Sequence, residues 1–292
     1  MQRPKTFGIA THFATHSMMA QGLHDQRRSV ECVVMENLML DHRNKWKWLA
    51  RSVGLAMMLD AGLLAAQDAA DERLTLSGNV AMTSNYVWRG QSQTSTDPAI
   101  QGGFDAAYKL NDSVGIYAGA WGSNVDFGTA GDDTDLELDT YGGLQGTVDN
   151  WSWKLGGIYY NYPGHEKGFH YPYGEVVAQL GYDFKVASLS VQGAYSPEFF
   201  GKSGDEYHLA LAGSIPLRAG FSLTGGAGRT WVDDKLAWGT PSWFDWNTGI
   251  SYSYKVFTIS ALYTDTDLGK NECFGGTNYC DATGVVTVSA AF

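Results

Sequence analysis

The sequence predicts an all-β chain: an antiparallel up-and-down transmembrane β-barrel of about twelve strands over residues 74–292, behind an N-terminal signal segment. Three observations carry this. Segments of about ten residues alternate apolar and polar side chains. The links between them alternate strictly between short and long. Aromatic residues gather at both ends of the segments.

The chain divides near residue 73. Residues 42–51, HRNKWKWLAR, form a basic patch, and SVGLAMMLDAGLLAA follows at 52–66. A basic stretch, a short apolar run and then small residues is the pattern of a secretory signal peptide. The apolar run is shorter than the roughly 20 residues a membrane-spanning helix needs. Residues 42–70 are therefore read as the signal, with cleavage near 66–70. Residues 1–41 are read as an extension ahead of it, as would arise from a start assigned too far upstream; Met35 and Met39 are more natural starts.

Beyond residue 73, one face of each segment is apolar and the other polar. In IQGGFDAAYK (100–109), Ile100, Phe104, Ala106 and Tyr108 oppose Gln101, Asp105 and Lys109. In 135–148, Leu136, Leu138, Leu144 and Val148 oppose Glu137, Asp139, Gln145 and Thr147. In 174–184, Val176, Ala178, Leu180, Tyr182 and Phe184 oppose Glu175, Gln179 and Asp183. In 244–254, Phe244, Trp246, Ile250, Tyr252 and Tyr254 oppose Asp245, Asn247, Ser251 and Ser253. A period of two is that of a strand, and no helical stripe competes with it. Strand starts are expected at 74, 98, 114, 135, 151, 173, 187, 205, 220, 243, 256 and 283.

Short links fall at 111–113, 149–150, 185–187, 216–219 and near 255. Long polar links fall between them, at 89–98, 124–134, 161–172, 196–205, 231–242 and 265–282. With both ends of the barrel on the periplasmic side, every odd link is external, and the odd links are the long ones. All prolines after Pro4 sit in links or at strand ends, where no ladder donor is lost. Tyr86, Trp88, Tyr159, Tyr195, Tyr207, Trp231, Trp243 and Tyr263 are expected to form an outer aromatic girdle. Tyr108, Trp151, Trp153, Tyr182, Phe184, Phe221, Tyr252, Tyr254 and Phe257 are expected to form the inner one. The last segment, GVVTVSAAF, alternates to a terminal Phe292 and resembles the signal read by the barrel-assembly machinery of Gram-negative bacteria.

The net charge of −11 excludes the basic face of a nucleic-acid binder. Residues 1–73 carry nine basic and eight acidic side chains, so of the 20 and 31 in the chain, 11 and 23 remain. The barrel segment itself is acidic. The mean hydropathy of −0.22 is what strands with one apolar and one polar face average to.

The stretch 76–108, LSGNVAMTSNYVWRGQSQTSTDPAIQGGFDAAY, resembles the opening of a proteobacterial porin family, the TorF-type porins, and the resemblance extends over 74–292, including GIYAGAWGSNVDFG (115–128). Members of that family begin their first barrel strand with SNY-x-x-RG-x-S-x-T. Here the motif is Ser84, Asn85, Tyr86, Arg89, Gly90, Ser92 and Thr94. The resemblance implies an outer-membrane location and a porin role, and carries over no catalytic residue.

Cys273 and Cys280, in CFGGTNYC within the last external link, are expected to form a disulfide in an oxidising compartment. Closing so short a loop contributes roughly 2–3 kcal/mol. Cys32 would leave with the signal. His165, Glu166 and His170 share the third external link, but solvated polar side chains explain them better than a metal site. The acidic run at 131–139 lacks the Gly and Glu positions of a calcium loop, and GGAGRT (225–230) lacks the Lys and helix of a phosphate loop. Glu206 and His208 share a face, yet no serine is placed to complete a nucleophile–base–orienter set. No enzyme activity and no cofactor are expected.

The functional candidates are the polar residues facing inward: Asp105, Lys109, Glu137, Asp139, Lys154, Glu175, Gln179, Glu206, His208, Asp245 and Asn247. Carboxylates dominate, and acidic rings favour cations. The expectation is a narrow passive channel for small polar or cationic solutes, with outer-membrane lipid and the assembly machinery as its other partners. A non-conducting barrel that works through its external loops is the alternative, and a barrel enzyme the more distant one. Separately, the lumen could be closed by side chains and inter-charge pairs.

Overall fold

The computed structural model describes residues 73–292 apart from 130, 166 and 167. The extension 1–41, the signal 42–70, Cys32 and Glu166 lie outside the described residues. Fourteen strands occur among those described: β1 (Leu74–Thr83), β2 (Val87–Trp88), β3 (Gln91–Ser92), β4 (Ala99–Lys109), β5 (Val114–Asn124), β6 (Leu136–Val148), β7 (Trp151–Asn161), β8 (Tyr173–Asp183), β9 (Ser188–Ser196), β10 (Glu206–Pro216), β11 (Phe221–Val232), β12 (Trp243–Tyr254), β13 (Phe257–Thr266) and β14 (Thr283–Ala291). A one-turn helix, α1 (Lys235–Trp238), lies in the link before β12.

Twelve of these strands pair with their neighbours in antiparallel order and close on themselves, β14 meeting β1. The remaining two, β2 and β3, pair only with each other. Register follows the pleat: Asp105 faces Gly119, Asp139 faces Tyr160, and Glu206 lies across from Ser196 and Val232. Observed strand starts agree with the expected ones to within a residue. The short–long parity of the links holds through all eleven connections of the barrel.

Apolar side chains cover the outside. Phe104, Leu155, Val176, Leu209 and Phe257 are each at least half exposed, at 54, 50, 56, 51 and 58 %. So continuous an apolar surface is unstable against water and satisfied by acyl chains. The wall closes on itself through its ladders, the arrangement that lets strands cross hydrocarbon. The chain is thus an outer-membrane β-barrel. Tyr159, Tyr207, Trp231 and Tyr263 face outward near the external ends, and Trp151, Phe221, Tyr252, Tyr254 and Phe257 near the periplasmic ends.

Three expected members of the outer girdle are elsewhere. Tyr86, Trp88 and Trp243 are buried inside the barrel. Trp243 has the parity of Asp245, so the pleat turns it inward. Tyr86 and Trp88 belong to the first long link, which is not solvated throughout: 89–94 fold down into the lumen and 96–98 stay exposed. The SNY-x-x-RG motif accordingly begins where β1 ends and forms no part of a wall strand.

The seam between β1 and β14 joins five residue pairs, against eleven between β10 and β11. Gly78 and Phe292 exchange backbone hydrogen bonds there (2.8 and 3.0 Å). The Phe292 ring lies over Gly78, where a Cβ would come within 2.7 Å of it. That close approach is why position 78 lacks a side chain.

Candidate functional site

Strands β2 and β3 form a two-residue hairpin with Arg89 and Gly90 at its tip. Both have positive φ (47° and 79°), the backbone twist that matches paired antiparallel strands. Gly90 suits this conformation, and it has no room for more: a Cβ there would collide with Thr266 Cγ2 and approach Asp245 Cβ to 2.9 Å. Arg89 adopts it at a cost of about 1 kcal/mol or more, a strain retained only where the surroundings enforce it.

What enforces it is charge. Arg89 donates from Nη1 to Glu206 Oε1 (2.6 Å) and from Nη2 to both oxygens of Glu175 (2.8 and 3.0 Å). All three side chains are buried. The indole of Trp243 donates to the Arg89 carbonyl (2.8 Å), and the guanidinium lies 4.1 Å from the Trp88 ring centroid. Tyr160 donates to Glu175 Oε2 (3.1 Å), which fixes that carboxylate from the wall side. Tyr86 donates to Glu137 Oε1 (2.9 Å) and packs edge-on against Trp121.

Two further ties hold the hairpin's outer edge. Ser92 N donates to Tyr279 O (2.8 Å), and Ser95 Oγ donates to the Tyr279 hydroxyl (2.7 Å). Tyr279 sits within the loop closed by the Cys273–Cys280 disulfide. On the other side Asp126 N donates to Gln93 O (2.8 Å). Above the hairpin is a continuous aromatic packing. Trp88 stacks on Phe199, Phe199 meets Trp238, and Trp238 stacks on Trp243. Tyr171 stacks on Phe200 at 4.4 Å and donates to Asp132 Oδ2 (2.7 Å). Burial, together with the hydrogen bond to Asp132, raises the Tyr171 phenol above its ordinary pKa.

The inward-facing candidates fall into two groups. Glu137, Asp139, Glu175, Glu206, His208 and Asp245 surround the hairpin and are buried. His208 Nδ1 is 2.9 Å from Thr230 Oγ1, and its ring and the Asp245 carboxylate both lie over Gly228. Below them Asp105 is buried against the Tyr141 hydroxyl (2.5 Å). Lys154 points toward the Tyr117 ring, at 5.8 Å. Lys154, Gln179 and Asn247 are half-buried, and Lys109 is exposed at the periplasmic rim. The lower lumen is otherwise lined by small polar residues that stay partly accessible, among them Ser77, Ser190, Ser214, Thr224 and Ser260.

Among the described residues no group of His, Cys, Asp and Glu is arranged to hold a metal ion. The acidic run at 131–139 leads into β6, and GGAGRT lies on β11. The central residue that inspection of strands alone does not reach is Arg89. Its signal was in the sequence, as the cation of an Arg-Gly turn flanked by Tyr86 and Trp88 in a link otherwise expected to be solvated.

The barrel is similar to several solved structures. An outer-membrane channel from Pseudomonas putida F1 matches at 12 % identity, covering 76 % of this chain and 96 % of that one, with a TM-score of 0.48. The NanC porin matches at 8 % identity over 75 % and 99 %, TM-score 0.48. The KdgM porin matches at 9 % identity over 74 % and 97 %, TM-score 0.41. No curated protein matches the chain. The family match does not carry the TorF-type name. Residues 66–292 match Gcw_chp, described as a bacterial protein of unknown function, and the chain belongs to that family.

Proposed function

We propose that this barrel is a gated outer-membrane channel for small polar or cationic solutes, closed in the structure described by the β2–β3 hairpin. The observation that supports it is the manner of closure. An apolar plug would be held by dewetting. This one is held by an Arg89 guanidinium set between Glu175 and Glu206, in a lumen whose other half is polar and accessible. A buried ion pair is only marginally favourable against its solvated parts, because both charges regain water when separated. Such a latch can open.

The TorF-type resemblance supports the same porin reading. The excess of carboxylates around the hairpin favours cations once the path is wet.

The test is planar-bilayer recording of the protein purified from outer membranes. Rare, brief openings are expected, with reversal potentials reporting cation preference. Anion preference would refute the selectivity. Complete silence of both the unaltered protein and its Arg89→Ala variant would instead favour a non-conducting barrel, for which the aromatic packing of the external loops is the supporting observation.

A further inference from the structure

Arg89 can be regarded as a ligand as well as a latch. Its guanidinium is chemically an arginine side chain presented to the wall of the lumen. The groups that receive it belong to β8 and β10, not to the hairpin. Glu175 takes Nη2 with both oxygens, and Glu206 takes Nη1, so two nitrogens of the plane are held by two carboxylates. Tyr160, stacked on Tyr173 at 4.4 Å, aims Glu175 and would remain in place without the hairpin. This is the geometry that distinguishes a guanidinium from an ammonium: planar, several donors in fixed directions, weak hydration.

The site also has more acceptor capacity than Arg89 uses. Glu206 meets Glu175 as well as Arg89, whereas Asp245 Oδ1 is buried with no hydrogen-bond partner. Asp245 lies directly against the hairpin tip, with its Cβ 2.9 Å from where a Cβ on Gly90 would stand. That unmatched oxygen belongs to a carboxylate beside the hairpin tip that carries the bound cation. A free guanidinium compound, not restrained by a tether, could turn to engage it.

We propose that Glu175 and Glu206, with Asp245 below, form a guanidinium-binding site in the lumen, occupied in the closed barrel by Arg89 of the same chain, and that the solutes this channel admits are guanidinium-bearing cations. This rests on the channel reading and names its ligand class. The hairpin then closes the path by mimicking the solute, and a solute competes with Arg89 for the same carboxylates.

The experiment is chemical rescue in the Arg89→Ala protein. Methylguanidinium and methylammonium chloride are titrated separately, in planar bilayers and by calorimetry in detergent. Methylguanidinium is expected to bind and to reduce the Arg89→Ala current at concentrations about tenfold lower than methylammonium. Adding Glu175→Gln and Glu206→Gln should abolish that difference, while heat-modifiable migration on a gel verifies that each variant is folded. Equal effects of the two cations, or preference surviving both glutamine substitutions, would overturn the site. If Arg89→Ala carries no current, the channel reading fails while calorimetry still decides whether the site binds guanidinium.

Discussion

The external half of the lumen is filled with Tyr, Trp and buried carboxylates gathered on a hairpin, whereas the periplasmic half is lined with Ser, Thr and Gly that stay in contact with water. Both halves are made by the same strands with the same alternation. The difference lies in what the pleat presents at each level. Large side chains such as Tyr160, Tyr173 and Trp243 are above, with small ones such as Ser190, Ser214 and Ser260 below. In the lower half bulk comes mainly from Tyr117 and Tyr141. The Tyr141 ring lies flat on the wall because position 119 is Gly, where a Cβ would come within 2.5 Å of it. The contrast teaches that a barrel's diameter does not settle whether it is open. An inserted link and the side-chain sizes at one level do.

Substitutions above and below should therefore differ in kind. The largest effect is expected from Arg89→Ala. Removing one partner of a buried ion pair costs about 3–5 kcal/mol and leaves carboxylates that water must reach, so open probability should rise by roughly a hundredfold or more. An unchanged record would mean that the aromatic packing alone closes the lumen. Next comes the clamp on the hairpin's outer edge. Cys273→Ser with Cys280→Ser frees the loop carrying Tyr279 and removes about 2–3 kcal/mol of restraint. Openings should become several times more frequent than in the unaltered protein, and treating that protein with reductant under mild denaturation should move it the same way.

Gly90→Ala should act more weakly, by about 1–3 kcal/mol, through the strained φ and the collision with Thr266. Its signature is a leakier closed state with unchanged selectivity. Smallest is Lys154→Gln, beside the Tyr117 ring in the other half of the lumen. It should leave gating untouched and shift the reversal potential slightly toward cations. A large gating effect there would erase the distinction between the two halves.

How much of this was legible in the sequence depends on what constrains each part. Strand starts and link parity were readable because lipid on one side and a polar lumen on the other impose a period of two on every segment. The same parity turns Trp243 inward with Asp245; expecting it in the girdle gave its amphipathic character precedence over its register. The fate of residues 84–98 was not readable from periodicity, because a link has none. Its insertion is decided by partners more than 80 residues away, Glu175 and Glu206, at separations of 86 and 117. Glu175 and Glu206 were readable as inward-facing. That they serve one cation was not, since pairing across a closed barrel joins strands that are not neighbours.

The five-pair seam between β1 and β14 bears on how the molecule is made. β1 is both an edge of that seam and the strand from which the hairpin hangs. The acceptors of Arg89 stand on β8 and β10, so the hairpin has nowhere to dock until the middle of the sheet has been laid down and has curved. Contacts of such long sequence separation form late. Until that docking, Glu175 and Glu206 lack the cation that pairs with them in the finished barrel. The plug is thus seated by a wall that must be built before it.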